Sequence, residues 1–248
     1  MSDEELGPSN GLYLDYGYGS HVGLRRELNE DSSVVTASLF AVADGMGGHD
    51  SGEVASSLAV QTLAEGWEAA AEPITRETIA TAIDEADRRI RAATDSRAGT
   101  TLTGAALTSS ENALQWLVFN IGDSRTYIHY EGALLQLTRD HSQVQEMFES
   151  GMITAEELHY HPQRNVITRA LGAGDADEVD FSVATVHAGQ RLLVCSDGLT
   201  GELTDAEIAK ILGAGRSPQD TVDWLIHQAL RSGGRDNVTL VVVDVKGA

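Results

Sequence analysis

The stretch Leu39-Phe40-Ala41-Val42-Ala43-Asp44-Gly45-Met46-Gly47-Gly48 runs an apolar segment, short enough for one buried strand, straight into a carboxylate and a group of glycines. Such a strand would hold Asp44 rigidly at a sheet edge, and glycines let backbone carbonyls approach a ligand without Cβ hindrance. Alone, Asp44-Gly45 reads first as ordinary turn chemistry. Its recurrence along the chain changes that reading.

Leu117 to Ile121 runs into Gly122-Asp123, and Leu192 to Cys195 into Ser196-Asp197-Gly198. Arg235-Asp236-Asn237 stands immediately before Val238 to Val243, so an antiparallel neighbour would bring Asp236 to the same end of the sheets. Glu30 and Asp31 add a pair from the loop before the first run. Any one of Asp123, Asp197 or Asp236 is equally a turn residue; the set predicts a common site.

Anions packed together repel by about 4 kcal/mol for each pair 4 Å apart at an effective dielectric of 20, so either they titrate abnormally or a cation is present. Oxygen donors without a Cys/His cluster favour a hard divalent ion, Mg²⁺ or Mn²⁺. The number of carboxylates suits two ions, a device for in-line attack on phosphorus by a bridging water of lowered pKa. Arg26, four residues before Glu30, is the candidate to hold a phosphate, because a guanidinium binds its oxygens as a bidentate fork. A solvated loop arginine is the alternative.

The balance of 17 Lys+Arg against 38 Asp+Glu over 248 residues, formally −21, argues against nucleic acid or an anionic membrane as partner. Cys195 lies in an apolar run and reads as a small buried hydrophobe, and one cysteine forms no disulfide within the chain. The start Met1-Ser2-Asp3-Glu4-Glu5 is acidic where a secretory signal is basic, and no apolar run is long enough to span a bilayer. A cytoplasmic protein and a monomer are expected.

Residues 1–10 read as a loose tail, followed by one domain over 11–248. Strands are expected at Leu12 to Tyr16, Ser32 to Thr36, Leu39 to Ala43, Val179 to Val186, Arg191 to Cys195 and Val238 to Val245, with Gly17 to Gly23 as a connection. Thr100 to Thr108, Leu114 to Ile121 and Thr126 to Tyr130 read as an antiparallel meander. Helical spacing marks Val54, Leu58, Leu63 and Trp67, then Ile79, Ile83, Ala86 and Ile90. Thr204-x-x-Glu207 opens another helix, and Ser217-Pro218 a last one that closes near Gly233. Residues 141–165, a short helix around Val144, Met147 and Phe148 and a box at Thr154-x-x-Glu157, carry few apolar anchors and read as a lid-like excursion. Grouped strands with pairs of helices between them predict an α+β protein.

The ordered set Arg26-x-x-Asn29-Glu30-Asp31, Ala43-Asp44-Gly45-Met46-Gly47-Gly48, Gly99-Thr100-Thr101, Gly122-Asp123-Ser124-Arg125, Leu137-Thr138-x-Asp140-His141-Ser142, Thr168-Arg169-Ala170-Leu171-Gly172, Cys195-Ser196-Asp197-Gly198-Leu199 and Gly234-Arg235-Asp236-Asn237-Val238-Thr239 resembles the metal-dependent protein serine/threonine phosphatases of type 2C, in their bacterial branch. The resemblance covers nearly the whole chain. It implies a four-layer αββα sandwich with a flap at 141–165, and hydrolysis of phosphoserine and phosphothreonine in proteins by a hydroxide bridging two Mn²⁺ or Mg²⁺ ions. It implies that Asp44 bridges the ions, that the Gly45 carbonyl and Glu30 serve one, and that Asp197 and Asp236 serve the other. Asp123 and Asp197 correspond to a third site that bacterial members often fill. Asp31 and Asn237 would stand behind the ligands, Asp31 orienting waters or Arg26, with a ligand role for Asp31 as the alternative. Phosphorylated proteins, substrates of serine/threonine kinases, are the implied partners.

Many eukaryotic members have a histidine where this chain has Met46, which cannot protonate the leaving alkoxide. A metal-bound water or His49 is left for that role, although His49 reads first as a loop or helix-start residue. His141 and His161, at the flap, read as packed or solvent-exposed, and Trp67, Trp116 and Trp224 as core. A pseudophosphatase that binds without turnover and a phosphatase of small metabolites are the competing readings; the intact carboxylate set speaks against the first.

Overall fold

The computed structural model describes residues 11–47, 51–70, 74–110, 113–158, 160–173 and 178–247. The tail 1–10, Gly48 and His49 lie outside them. Strand β3 (Leu39–Gly47) is the centre of the architecture, and both its faces are covered. Leu39, Ala41 and Ala43 pack under helices, whereas Phe40 and Val42 point at a second sheet. That double burial is why the run carries no polar alternation.

One sheet has the order β2-β3-β5-β6-β9, with β4 also paired to β3. Its members are β2 (Asp31–Val35), β3, β4 (Ala98–Thr100), β5 (Leu102–Ser110), β6 (Ala113–Ile121) and β9 (Asp180–Thr185). The other has the order β1-β11-β10-β7-β8, from β1 (Leu12–His21), β7 (Arg125–Tyr130), β8 (Ala133–Gln136), β10 (Arg191–Cys195) and β11 (Val238–Gly247). All pairings are antiparallel. Helices α1 (Ser51–Ala69) and α2 (Arg76–Thr94) cover the first sheet through Ala55, Ala59, Leu63, Ile79, Ile83 and Ile90. Between β8 and β9 come the short α3 (Gln143–Glu149) and α4 (Ala155–Leu158). Helices α5 (Asp197–Thr200), α6 (Asp205–Leu212) and α7 (Pro218–Ser232) cover the second sheet through Leu199, Ile208, Val222 and Leu225. Between the sheets lie Phe40, Val42, Trp116, Val118, Leu192, Val194, Val241 and Val243. The layers are therefore helix, sheet, sheet, helix.

Helix ends follow the local signals. Thr204 and Glu207 form a reciprocal capping box on α6, and Ser217 caps α7 with Pro218 in its first turn. Thr75 and Thr78 do the same for α2. Arg191, itself buried, ties β10 to β11 and to the second helical layer: it pairs with Asp244 at 2.6 Å and donates to the carbonyls of Leu212 and Arg216.

Several sequence expectations are corrected. Gly17 to Gly23 is not simply a connection, because β1 continues to His21. A Cβ at Gly17 would stand 2.5 Å from the Gln219 backbone nitrogen, so this glycine admits α7 against the strand. On α1, Val54 is 42% exposed while Ala55 and Ala59 are fully buried, so the packed face is turned toward small residues. The meander breaks at Gly122: β5 and β6 form a hairpin, but β7 belongs to the opposite sheet. Strand β8 extends β7 through the two-residue turn Glu131-Gly132, both at positive φ (51° and 81°). Finally, β3 does not stop before Asp44. It runs on to Gly47 by exchanging β5 for β4, with Gly45 opposite Thr100.

Candidate active site

Residues that continue the inter-sheet face turn polar at one end of the sandwich. Thr103 and Thr126 hydrogen-bond across the sheets at 3.1 Å, and Thr101 and Ser124 at 2.8 Å. Ser196 donates to Asp31 at 2.8 Å, and Asp31 lies opposite Asp44 in the β2–β3 ladder. The apolar layer thus ends in a polar floor shared by both sheets, and the acidic residues stand on it.

Asp44 is fixed through its backbone. Its N–H donates to Thr101 Oγ1 at 3.0 Å, and its carbonyl accepts the Thr101 N–H and the Thr100 hydroxyl, each at 2.9 Å. The next N–H, that of Gly45, donates to the Glu30 carbonyl at 3.1 Å. Asp197 begins α5 directly after β10, Asp123 follows the crossing turn at Gly122, and Asp236 leads into β11. Asn237 joins this end to the Arg26 loop: its side chain accepts the Glu30 N–H and donates to the carbonyls of Val22 and Leu28. Arg26 Nη2 reaches Asp236 Oδ2 at 2.7 Å.

The electrostatics show how closely these groups stand. Burial, then the fields of Asp31, Asp197, Asp123 and Asp236, push the Asp44 carboxyl well above the usual range. Burial, then Asp197 and Asp140, do the same for Asp123. Asp197 is raised by burial and by Asp236, partly offset by a hydrogen bond with Asp44. Asp31 is pushed up to about 7 by burial, against the pull of hydrogen bonds from Ser196 and Thr239. Asp44, Asp123 and Asp197 nevertheless keep some surface open to solvent. Arg26 is held more firmly protonated by its hydrogen bond to Asp236 and by the fields of Asp44 and Glu30.

The sequence-derived residues Arg26, Glu30, Asp31, Asp44, Gly45, Asp123, Asp197, Asp236 and Asn237 therefore meet at one end of the sandwich. Among the described residues, no three His, Cys, Asp or Glu side chains close tightly enough to cage a metal as they stand. The donor chemistry nevertheless fits hard cations: several crowded carboxylates are present, and the buried Asp31 Oδ1 has no hydrogen-bond partner.

Sequence reasoning missed several parts. Thr101, Ser196 and Thr239 stand in the motifs above, but nothing there shows that their hydroxyls support the acidic residues. Arg125, beside Asp123, forms a bidentate pair with Asp140, with contacts of 2.6 to 3.0 Å; both occur in the motifs above, but their pairing is invisible there. From Asp123 and Asp197 a cavity of about 400 Å³ extends between Val144, Leu158 and Arg164 on one side and the segment Thr200 to Thr204 on the other.

The fold is that of solved serine/threonine protein phosphatases. The protein phosphatase 2C family model matches residues 25–230, and the chain belongs to that family. The serine/threonine phosphatase stp of Listeria monocytogenes is 37% identical over 236 residues, 90% of this chain and 92% of the relative. The serine/threonine protein phosphatase PstP of Mycobacterium tuberculosis is 40% identical over 243 residues, 94% of this chain and 45% of the relative. The crystal structure of the M. tuberculosis phosphatase PstP/Ppp superposes with a TM-score of 0.86 at 39% identity, over 94% of this chain and 99% of that one. A second structure, the PstP catalytic domain in complex with two manganese ions, gives 0.86 at 37% identity, over 95% and 99%.

Proposed function

We propose that this chain hydrolyses phosphoserine and phosphothreonine in proteins, using Mn²⁺ or Mg²⁺. The observation that carries the reading is the gathering of Asp44, Asp123, Asp197 and Asp236 at one end of the sandwich, an excess of negative charge that cations would offset and that raises the carboxyl pKa of the first three. Asp44 would bridge two ions. Glu30 and the Gly45 carbonyl would serve one and Asp197 and Asp236 the other, with Asp123 and Asp197 available to a third. Since no three side chains among the described residues form a cage, backbone carbonyl and solvent oxygens would complete the coordination. When bound, the ions neutralise phosphate charge and lower the pKa of the attacking water.

The chain's own residues do the rest. Arg26 presents guanidinium N–H groups to the phosphate oxygens while Asp236 and the Asn237-anchored loop hold it in place. Asp31 and Asn237 act from behind, Asp31 through Ser196 and Asn237 through the Glu30 N–H. Water adds to phosphorus, the ester oxygen departs as the serine or threonine hydroxyl, and inorganic phosphate is released. The departing oxygen needs a proton that the Met46 thioether cannot give; His49 is outside the described residues.

The cavity leading from Asp123 along the flap favours a polypeptide over a small metabolite, since it extends past the reacting centre to Arg164 and Arg235. We read residues 11–248 as one phosphatase domain with 141–165 as its flap, acting in the cytoplasm as a monomer on substrates of serine/threonine kinases. Among the described residues no helix is long and apolar enough to cross a membrane. The test is Mn²⁺-dependent release of phosphate from a phosphopeptide by wild type and by Asp44→Asn. Loss in the variant is expected, and equal rates would overturn the proposal.

A further inference from the structure

His141 is buried, with no exposed side-chain surface, and belongs to neither the metal-facing carboxylates nor the apolar core. Its Nδ1 accepts the Gly122 N–H at 3.1 Å, and its own backbone N–H donates to the Gly122 carbonyl at 2.9 Å. One residue thereby holds the peptide groups on both sides of the Gly122 Cα. Because Nδ1 accepts, the ring proton is on Nε2, which lies 3.0 Å from Asp180 Oδ2. The other Asp180 oxygen takes Arg169 Nη1 at 3.2 Å. The base of the flap closes on the same residue: Thr168 N–H donates to the His141 carbonyl at 2.8 Å, and Gln143 N–H to that of Val166 at 2.8 Å.

Gly122 cannot hold itself. It sits at φ +103°, and a Cβ there would stand 2.6 Å from Thr101 Cβ, the residue that also fixes the Asp44 N–H. The turn that aims Asp123 therefore depends on outside partners. Asn120 supplies one, a 3.1 Å bond to the Gly122 carbonyl, and His141 supplies the others.

We propose that His141 is a positioning residue: through Gly122 it sets where the Asp123 carboxylate stands in the cleft, and through Asp180 and Arg169 it links that position to the base of the flap. This rests on the assignment of Asp123 to the metal-holding set. A histidine that merely fills space would contribute stability and nothing specific to Asp123.

The test uses the full chain, with Mn²⁺ binding followed by calorimetry beside phosphopeptide kinetics. His141→Asn places an amide oxygen near the Nδ1 position and can accept from Gly122. His141→Gln places its amide near Nε2 and leaves that N–H without a partner. The Gln variant should weaken the weakest Mn²⁺ step by about 10–100-fold, the range for residues that orient ligands, and lower kcat more than it raises KM. The Asn variant should recover most of the loss. In an Asp123→Asn background the difference between the two should vanish. A folded His141→Gln protein that binds Mn²⁺ like wild type, or whose deficit persists unchanged without the Asp123 carboxylate, overturns the proposal. If His141→Gln does not fold, Asp180→Asn replaces it, with the same direction expected and wild-type Mn²⁺ binding overturning it. Wild type that releases no phosphate yet shows this pattern in Mn²⁺ binding would remove the phosphatase reading and leave His141 in its role.

Discussion

The side-chain carbonyl of Asn237 accepts the backbone N–H of Glu30 at 2.8 Å, across 207 residues of chain. The same amide donates to the Val22 and Leu28 carbonyls at 2.9 Å each, so one side chain ties the loop carrying Arg26 to the strand that follows Asp236. Asn237→Ala would take this side chain's hydrogen bonds from three backbone groups around a residue only 5% exposed. With some rescue by water, that costs about 2–4 kcal/mol, and kcat/KM should fall more than tenfold as Arg26 loses its support. Asn237→Asp keeps the acceptor but sets an anion against two carbonyls, so it should do no better. Urea denaturation with phosphopeptide kinetics measures both; an alanine variant matching wild type in each would show that the loop holds itself.

A single methyl group tests the junction of two acidic elements. A Cβ on Gly198 would lie 1.8 Å from the Asn237 carbonyl oxygen, a contact that only backbone movement relieves. Gly198→Ala must push α5, which begins with Asp197, away from the segment holding Asp236. A loss of about 1–3 kcal/mol in stability is expected, with a larger proportional loss of Mn²⁺ affinity if Asp197 and Asp236 hold the ion as proposed, because the two then move apart. Calorimetry showing unchanged Mn²⁺ binding in the folded variant would contradict this.

The carboxylates were legible because each ends or begins an apolar run, and strand ends are fixed by local pattern. Their convergence was legible only in part, since an antiparallel arrangement was inferred and the crossing between sheets at Gly122 was not. Glycines misled at Gly17: in sequence it signals a turn, but the structure uses it where the α7 backbone presses on β1. Val54 misled for a related reason, because close packing of α1 on the sheet selects Ala55 and Ala59 over the larger side chain. The pairings of the polar floor are not legible in sequence: Thr101, Ser196 and Thr239 stand in the motifs, but which hydroxyls meet, Thr101 with Ser124 and Thr103 with Thr126, depends on the opposite sheet being in place. Asn237 appeared within a motif, yet its partners Val22, Leu28 and Glu30 are known only from the fold.

Cys195 sits one residue before the Ser196 that supports Asp31, but its chemistry is silenced. It is fully buried, and burial pushes its thiol up to about 12. The thiolate needed for alkylation is therefore scarce at pH 8, and reagent has no path to it. Native protein should keep its activity and its thiol through prolonged iodoacetamide treatment, whereas protein unfolded in urea should be labelled at once. Mass spectrometry reads the outcome, and labelling of the native protein at a rate near that of a free thiol would contradict the packing.

Asp31 makes the metal-free protein sensitive to pH. It is 9% exposed, accepts a 2.8 Å bond from Ser196, and is pushed up to about 7 by burial, against about 3.9 in an unfolded chain. A carboxyl with a raised folded pKa stabilises the fold while protonated, so its contribution is complete below about pH 4 and is lost as pH rises through about 7. Metal-free wild type should therefore be less stable at pH 8 than at pH 5, by an amount of the order of a few kcal/mol. Asp31→Asn retains an acceptor for Ser196 and cannot ionise. It should flatten part of that slope and exceed wild type at pH 8 in chelator. Adding Mn²⁺ should reverse the order, since cations bound beside the Asp31 carboxylate favour its charged form and stabilise wild type by mass action. Urea midpoints at both pH values, with chelator and with Mn²⁺, test each sign. A variant less stable than wild type in all conditions would show that the Asp31 charge is compensated within the chain itself.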